Sequence, residues 1–123
     1  MTHIKSLFIL LAFSLVLLIF HYIGIQYFYY WSISWYDTVA HLLGGVILGL
    51  SITIFSKAKN LSEKSLIIYG AGFALLVAIL WEIFEYRAGI TSASSKYALD
   101  TTLDILLGLI GALIAIKVGS RRV

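Results

Sequence analysis

Asp37 and His41 stand four residues apart, Glu82 and Glu85 three apart, and Asp100 and Asp104 four apart. On a helix, each of these spacings puts the pair on one face, one residue a turn above the other. Carboxylate oxygens gathered with one imidazole form a ligand set suited to Mg²⁺, Mn²⁺ or Ca²⁺, with Zn²⁺ or iron also accommodated. Asp37, His41, Glu82, Glu85, Asp100 and Asp104 are therefore candidate ligands for a divalent metal ion. Glu82 and Asp104 are in addition candidate catalytic groups, because an ion held beside a spare carboxylate can polarise a phosphoryl oxygen or activate water while that carboxylate acts as general base. Among the six acidic residues of the chain only Glu63 lies away from this set.

These residues are carried by a chain that is 61% hydrophobic and 12% charged, without proline or cysteine. Soluble proteins average roughly 25% charged residues, so the chain reads as an integral membrane protein, and 123 residues make a single domain spanning 1–123. Without cysteine, disulfides, thiolate ligands and thiol redox chemistry are excluded. The formal charge of +3 does not indicate nucleic acid, because the basic residues sit in short segments flanking apolar runs. No serine nucleophile motif, glycine-rich phosphate loop or zincin motif offers another reaction class.

Apolar runs long enough for helices of about 20 residues place four spans at about 6–26, 37–56, 65–86 and 99–118. The first run resembles a signal peptide, but the residues after it are bulky and aromatic rather than small, so it reads as a retained anchor. Residues 27–36, YFYYWSISWY, have the Trp and Tyr density of an interfacial belt or short interfacial helix. Lys5, Lys57, Lys59, Lys64, Lys117, Arg121 and Arg122 fall on one side of these spans, and only Arg87 and Lys96 on the other. By the positive-inside rule both termini are cytoplasmic and the carboxylates face outward.

The set should form two tiers. Only the uncharged residues 105–116 separate Asp104 from Lys117, about 18 Å of helix against a hydrocarbon core of about 30 Å, so Asp104 lies within the membrane boundary. The same reasoning puts Glu82 at or just inside the edge, level with His41, and Asp37, Glu85 and Asp100 a turn closer to water. Small residues continue each face inward: Gly44, Gly45 and Gly49; Gly70, Ala74 and Ala78; Gly108, Gly111, Ala112 and Ala115. Because small residues let helices approach closely in lipid, the polar pairs should cap a three-helix packing seam. Five carboxylates facing Arg87 and Lys96 carry an excess of negative charge that protons or a bound cation must offset.

Ordinary structural roles account for part of the pattern. Asp100 and Asp104 beside Thr101 and Thr102 suit a helix N-terminus, and Asp37 suits the start of another. Glu85 suits a surface pair with Arg87 or Lys96, Trp81 a belt aromatic, and His21 either an extra ligand or a hydrogen-bonded interfacial histidine. Burying Glu82, His41 and Asp104 costs of order 1–3 kcal/mol each, and a capping role does not explain that cost.

Three strings, DTVAHLLGG from Asp37, WEIFEYRAG from Trp81 and DTTLDILLGLIGA from Asp100, together resemble the YjdF-type family of small bacterial and archaeal inner-membrane proteins. Its patterns D-x-x-x-H-x-x-G, W-E-x-x-E and D-T-x-x-D-x(6)-G-A occur here in the same order, over residues 37–112. More distantly the strings look like VanZ-like proteins, linked to glycopeptide (teicoplanin) resistance, although Glu85 and Leu107 replace parts of that pattern. The resemblance implies residence in a prokaryotic cytoplasmic membrane and a role in the cell envelope, and supplies no reaction.

The sequence thus predicts an all-α protein, a four-transmembrane-helix bundle with N-in and C-in termini, which binds a divalent metal at an outward-facing carboxylate and histidine cluster. Its partners are the lipid bilayer and a lipid headgroup or lipid-linked substrate, with assembly into an oligomer compatible and nucleic acid excluded. Two function classes follow: a metal-dependent hydrolase or phosphotransferase acting on envelope substrates, or a non-enzymatic ion-binding, transport or structural membrane protein. Single-cysteine variants test the orientation. Ile90→Cys should react in intact cells with a membrane-impermeant maleimide while Asn60→Cys is protected, and the reverse pattern would invert the topology.

Overall fold

Four runs of the sequence are apolar on nearly every face, so in water they could not be satisfied by packing alone; in lipid, a helix meets all its own backbone hydrogen bonds. The computed structural model describes residues 3–89 and 97–121. It contains α1 (His3–Gln26), the short α2 (Tyr29–Ser32), α3 (Tyr36–Ala58), α4 (Glu63–Ala88) and α5 (Tyr97–Arg121). The four long helices are each long and apolar enough to cross a membrane, and they show large apolar side chains such as Phe8, Ile68, Phe73 and Ile114 on their outer surface. Each helix runs one to three residues beyond the expected spans at one or both ends, because polar residues such as Glu63 and Lys64 prolong it past the apolar run. The loop containing TSASSK and Lys96, and Arg122 in the tail, lie outside the described residues.

Local signals set the turns. Ser62 caps α4, its hydroxyl accepting from the Ser65 amide at 3.2 Å, and Gly89 ends that helix in the left-handed conformation at φ 71°. The aromatic stretch after α1 folds back as α2 and delivers the chain into α3. There Tyr36 is buried, stacked on Phe20 with ring centroids 4.0 Å apart, and its hydroxyl donates to the Phe20 carbonyl. Gly24 provides the seat: a Cβ there would strike the rings of Tyr36 and Tyr30.

The closest packing is between α3 and α5, backbone against backbone. A Cβ on Gly45 would overlap the Gly108 carbonyl, one on Gly49 the Ala112 carbonyl, and one on Gly111 would lie 2.5 Å from the Leu42 carbonyl oxygen. α4 adds its face of Leu66, Gly70, Ala74 and Ala78, all buried, and Gly70 gives way to the fully buried Ile116. The expected three-helix seam is present with one difference. Gly44 does not belong to it, since a Cβ there meets nothing within 4 Å; it faces a cleft bordered by α1, α3 and α4.

Gly45→Ala should therefore destabilise the protein by about 1–3 kcal/mol, the usual cost of overpacking, whereas Gly72→Ala, whose Cβ also enters open space, should not. Unfolding by SDS in mixed micelles measures both. Equal stability of the two variants would contradict the backbone contact.

Candidate metal centre

The α3–α5 contact places Asp104 opposite His41, each one turn from the glycines that touch, Gly108 and Gly45. α4 adds Glu82, one turn beyond the buried Ala78, and Glu85. His41 Nε2 is the centre of the result. It lies 3.4 Å from Asp37 Oδ1, 3.3 Å from Glu82 Oε1, 3.8 Å from Glu85 Oε2 and 3.7 Å from Asp104 Oδ2.

Most of these side chains are buried. His41 is 8% exposed, Glu82 and Glu85 5% each, and Asp104 7%. His41 Nε2 and Glu82 Oε1 are both fully buried and make no hydrogen bond among the described residues. An orphaned buried polar atom costs about 1–3 kcal/mol, and here two of them face each other. The oxygens lie beyond the usual 2.7–3.2 Å of N–H···O bonding. They stand instead at the separation of ligands sharing one ion, since tetrahedral ligands at about 2.1 Å from a metal are about 3.4 Å apart. Two overlapping groups have their ligand atoms all within 4.8 Å of one another: His41, Glu82 and Asp104, all buried, and Asp37, His41 and Glu85, of which Asp37 is partly exposed.

Of the six expected ligands, five converge. His41, Glu82 and Asp104, expected as the deeper tier, form the fully buried group, while Glu85, expected a turn closer to water, is as buried as Glu82. Glu85 does not pair at the surface; it turns inward and accepts a hydrogen bond from Trp81 Nε1 at 2.9 Å. Asp100 stands apart, exposed in the first turn of α5 and in neither group. Its position is the one at which an acidic residue favours a helix N-terminus. His21 stays out of the cluster as well, its Nδ1 sharing a 2.8 Å hydrogen bond with the Tyr30 hydroxyl. Burial, reinforced by the Asp37 carboxylate, raises the Tyr30 phenol above its ordinary range, so it remains an O–H group.

The bond from Trp81 to Glu85 is the contact at the cluster that sequence reasoning missed. The signal was present in the four-residue spacing of Trp81 and Glu85, which puts an indole donor beside a carboxylate on one helical face. Tyr36 was likewise read only as part of an aromatic belt. Its ring instead fixes α1 to the start of α3, and so fixes the wall next to Asp37.

Two cavities reach the cluster. One of about 520 Å³ opens between α4 and α5 and has Glu82, Arg87 and Thr101 in its wall. The other, of about 450 Å³, is the cleft bordered by α1, α3 and α4, and meets the cluster at Asp37, His41 and Glu85.

A family model described as "Predicted membrane protein (DUF2238)" matches residues 3–123. This is the family to which the three strings pointed. No curated protein and no solved structure matches the chain.

Trp81→Phe keeps the ring contact with Phe84, now 5.3 Å between centroids, and removes only the indole donor. It should lower stability by about 1–2 kcal/mol, the cost of unpairing a buried carboxylate oxygen, measured by SDS unfolding. An unchanged stability would show that the Trp81–Glu85 bond does not hold the site.

Proposed function

Because the chain belongs to this family of predicted membrane proteins, we propose that it is a small integral membrane protein whose bundle binds one divalent cation at the carboxylate and histidine cluster. The observation that carries the proposal is the pair of buried atoms without a hydrogen bond, His41 Nε2 and Glu82 Oε1, which stand 3.3 Å apart, with three further carboxylates within 3.8 Å of the same nitrogen. The two ligand groups share His41, and an imidazole nitrogen has one lone pair, so they describe a single site and not two. Glu82 and Asp104 are the deepest ligands; Asp37 and Glu85 complete the set or face the cleft. Mg²⁺, Mn²⁺, Ca²⁺ and Zn²⁺ all suit such donors.

The positive-inside distribution supports cytoplasmic termini and an outward-facing site in a prokaryotic cytoplasmic membrane. At that position a divalent ion would supply Lewis acidity toward an ester or phosphoryl oxygen of a lipid-linked or envelope substrate. Whichever of Glu82 and Asp104 the ion leaves free would be the general base, giving a metal-dependent hydrolase or transferase. Ion binding without chemistry is the alternative. Transport is less well supported: Ser51, Thr53 and Ser56, on the half of α3 away from the cluster, include hydroxyls committed to helix carbonyls, and no carboxylate continues the path there among the described residues.

Protein purified without chelator should carry one equivalent of a divalent metal by inductively coupled plasma mass spectrometry. His41→Ala combined with Asp104→Asn should lose it, while Asp100→Asn should retain it. Metal-free wild-type protein, or full retention by the double variant, would remove the metal proposal. Release of phosphate or headgroup from lipid extracts by the loaded protein would then separate enzyme from binder.

A further inference from the structure

The cleft bordered by α1, α3 and α4 has the shape of a ligand that is long, thin and polar at one end. Among the described residues no Cα of α1 comes within 8 Å of a Cα of α4, so no backbone packing closes the cleft between them. Its depth along α3, from Asp37 to Leu48, is eleven residues, about 16 Å. At about 450 Å³ it has room for one hydrocarbon chain and not for two. The deep wall is largely apolar, formed by Leu17, Leu18, Ile47, Leu48 and Val77, with Ser14 there donating its hydroxyl to the Leu10 carbonyl, and Gly44 keeps it open, since a Cβ there would meet nothing within 4 Å.

Polar groups gather at the other end: His21, Tyr30, Asp37, His41 and Glu85. None of the described lining residues is lysine or arginine, so an anionic head would meet two carboxylates and no fixed positive charge. Glu82 and Asp104 do not line the cleft and belong, with His41, to the fully buried ligand group. That leaves Asp37 and Glu85 to face the cleft, with ligand oxygens within 4.8 Å of each other. An ammonium nitrogen donating at about 2.7–2.9 Å to each oxygen spans that gap.

We propose that this cleft binds a single-chain amphiphile with an ammonium head, which enters sideways from the bilayer, lays its chain along Gly44 and places its head between Asp37 and Glu85. The assignment of Glu82 and Asp104 to the ion rests on the metal proposal; the cleft, its apolar wall and its acidic mouth do not. Small-molecule sites are concave and largely apolar with a few convergent polar groups, and this cleft matches that pattern.

The test uses the full chain in phosphatidylcholine nanodiscs, with a long-chain primary amine bearing a diazirine near its tail end and the carboxylic acid of the same chain as the matched probe. After photolysis, mass spectrometry should place the amine's label on Leu17, Leu48 or Val77, with little label from the acid. Gly44→Leu should lose this labelling, while Gly72→Leu, which adds bulk to the exposed face of α4, should retain it. Asp37→Asn with Glu85→Gln should erase the preference for amine over acid. Label spread evenly over outer residues such as Phe73 and Ile114, or equal labelling by amine and acid in the unsubstituted protein, would overturn the proposal, and the second comparison requires no variant to fold. Metal content measured on the same samples separates the two ideas: cleft labelling without metal removes only the ion, and metal without cleft labelling removes only the amphiphile.

Discussion

The contact of α3 with α5 through glycine backbones is the constraint on which the rest of the molecule depends. Side chains normally hold helix axes 8–10 Å apart. Here Gly45, Gly49 and Gly111 remove them, so that carbonyls of one helix lie where a Cβ of the other would be. His41 and Asp104 sit one turn along from this contact, and their 3.7 Å approach follows from it. Gly108 is also where the third helix joins: a Cβ there would lie 3.7 Å from the His41 carbonyl and 3.9 Å from Ala78 Cβ. Glu82, a turn beyond Ala78, is thereby brought to the same imidazole. In lipid, where association rests on packing and not on the hydrophobic effect, a stripe of small residues both builds the bundle and sets the spacing of the ligands.

The same closeness makes the site costly. Four carboxylates around one imidazole, three of them 5–7% exposed, are a concentration of like charge that a low-dielectric interior penalises strongly. Their oxygens lie too far from His41 Nε2 for good hydrogen bonds and too near one another to be indifferent. Apolar residues of similar volume would pack as well at lower cost, which is the physical reason to connect this cluster with a ligand. The carboxylates divide by access: Glu82 and Asp104 lie away from the cleft, whereas Asp37 and Glu85 line it.

Much of this was legible in the sequence because the membrane leaves few options. Apolar length fixed the number and approximate bounds of the spans, and the i to i+4 spacing of Asp37 with His41, and the short run after Asp104, were enough to single out His41, Glu82 and Asp104, which the structure buries together. What could not be read was rotation about each helix axis. Gly44 and Gly45 are neighbours of one type, yet Gly45 is pressed onto α5 while Gly44 opens on the cleft, a distinction of about 100° around the helix that composition does not carry. Asp100 and Asp104 differ similarly: the first ends exposed at the helix start and the second is buried. The inward turn of Glu85 was hidden because its partner, Trp81, has an equally good account as a belt aromatic.

The manner in which α1 is held has a further consequence. Only Ser6 and Gly24 of its 24 residues are buried, and near the cluster it is held by aromatic side chains: Tyr36 stacked on Phe20, Tyr30 bonded to His21, and Gly24 as the notch for both rings. The tilt of a transmembrane helix answers to neighbour packing, interfacial aromatic anchors and the match between its length and the bilayer. With so few of its residues buried, α1 depends on these aromatic anchors and on its match to the bilayer more than on packing. Since one wall of the cleft is α1 itself, the bilayer helps to set the width of the passage leading to the carboxylates.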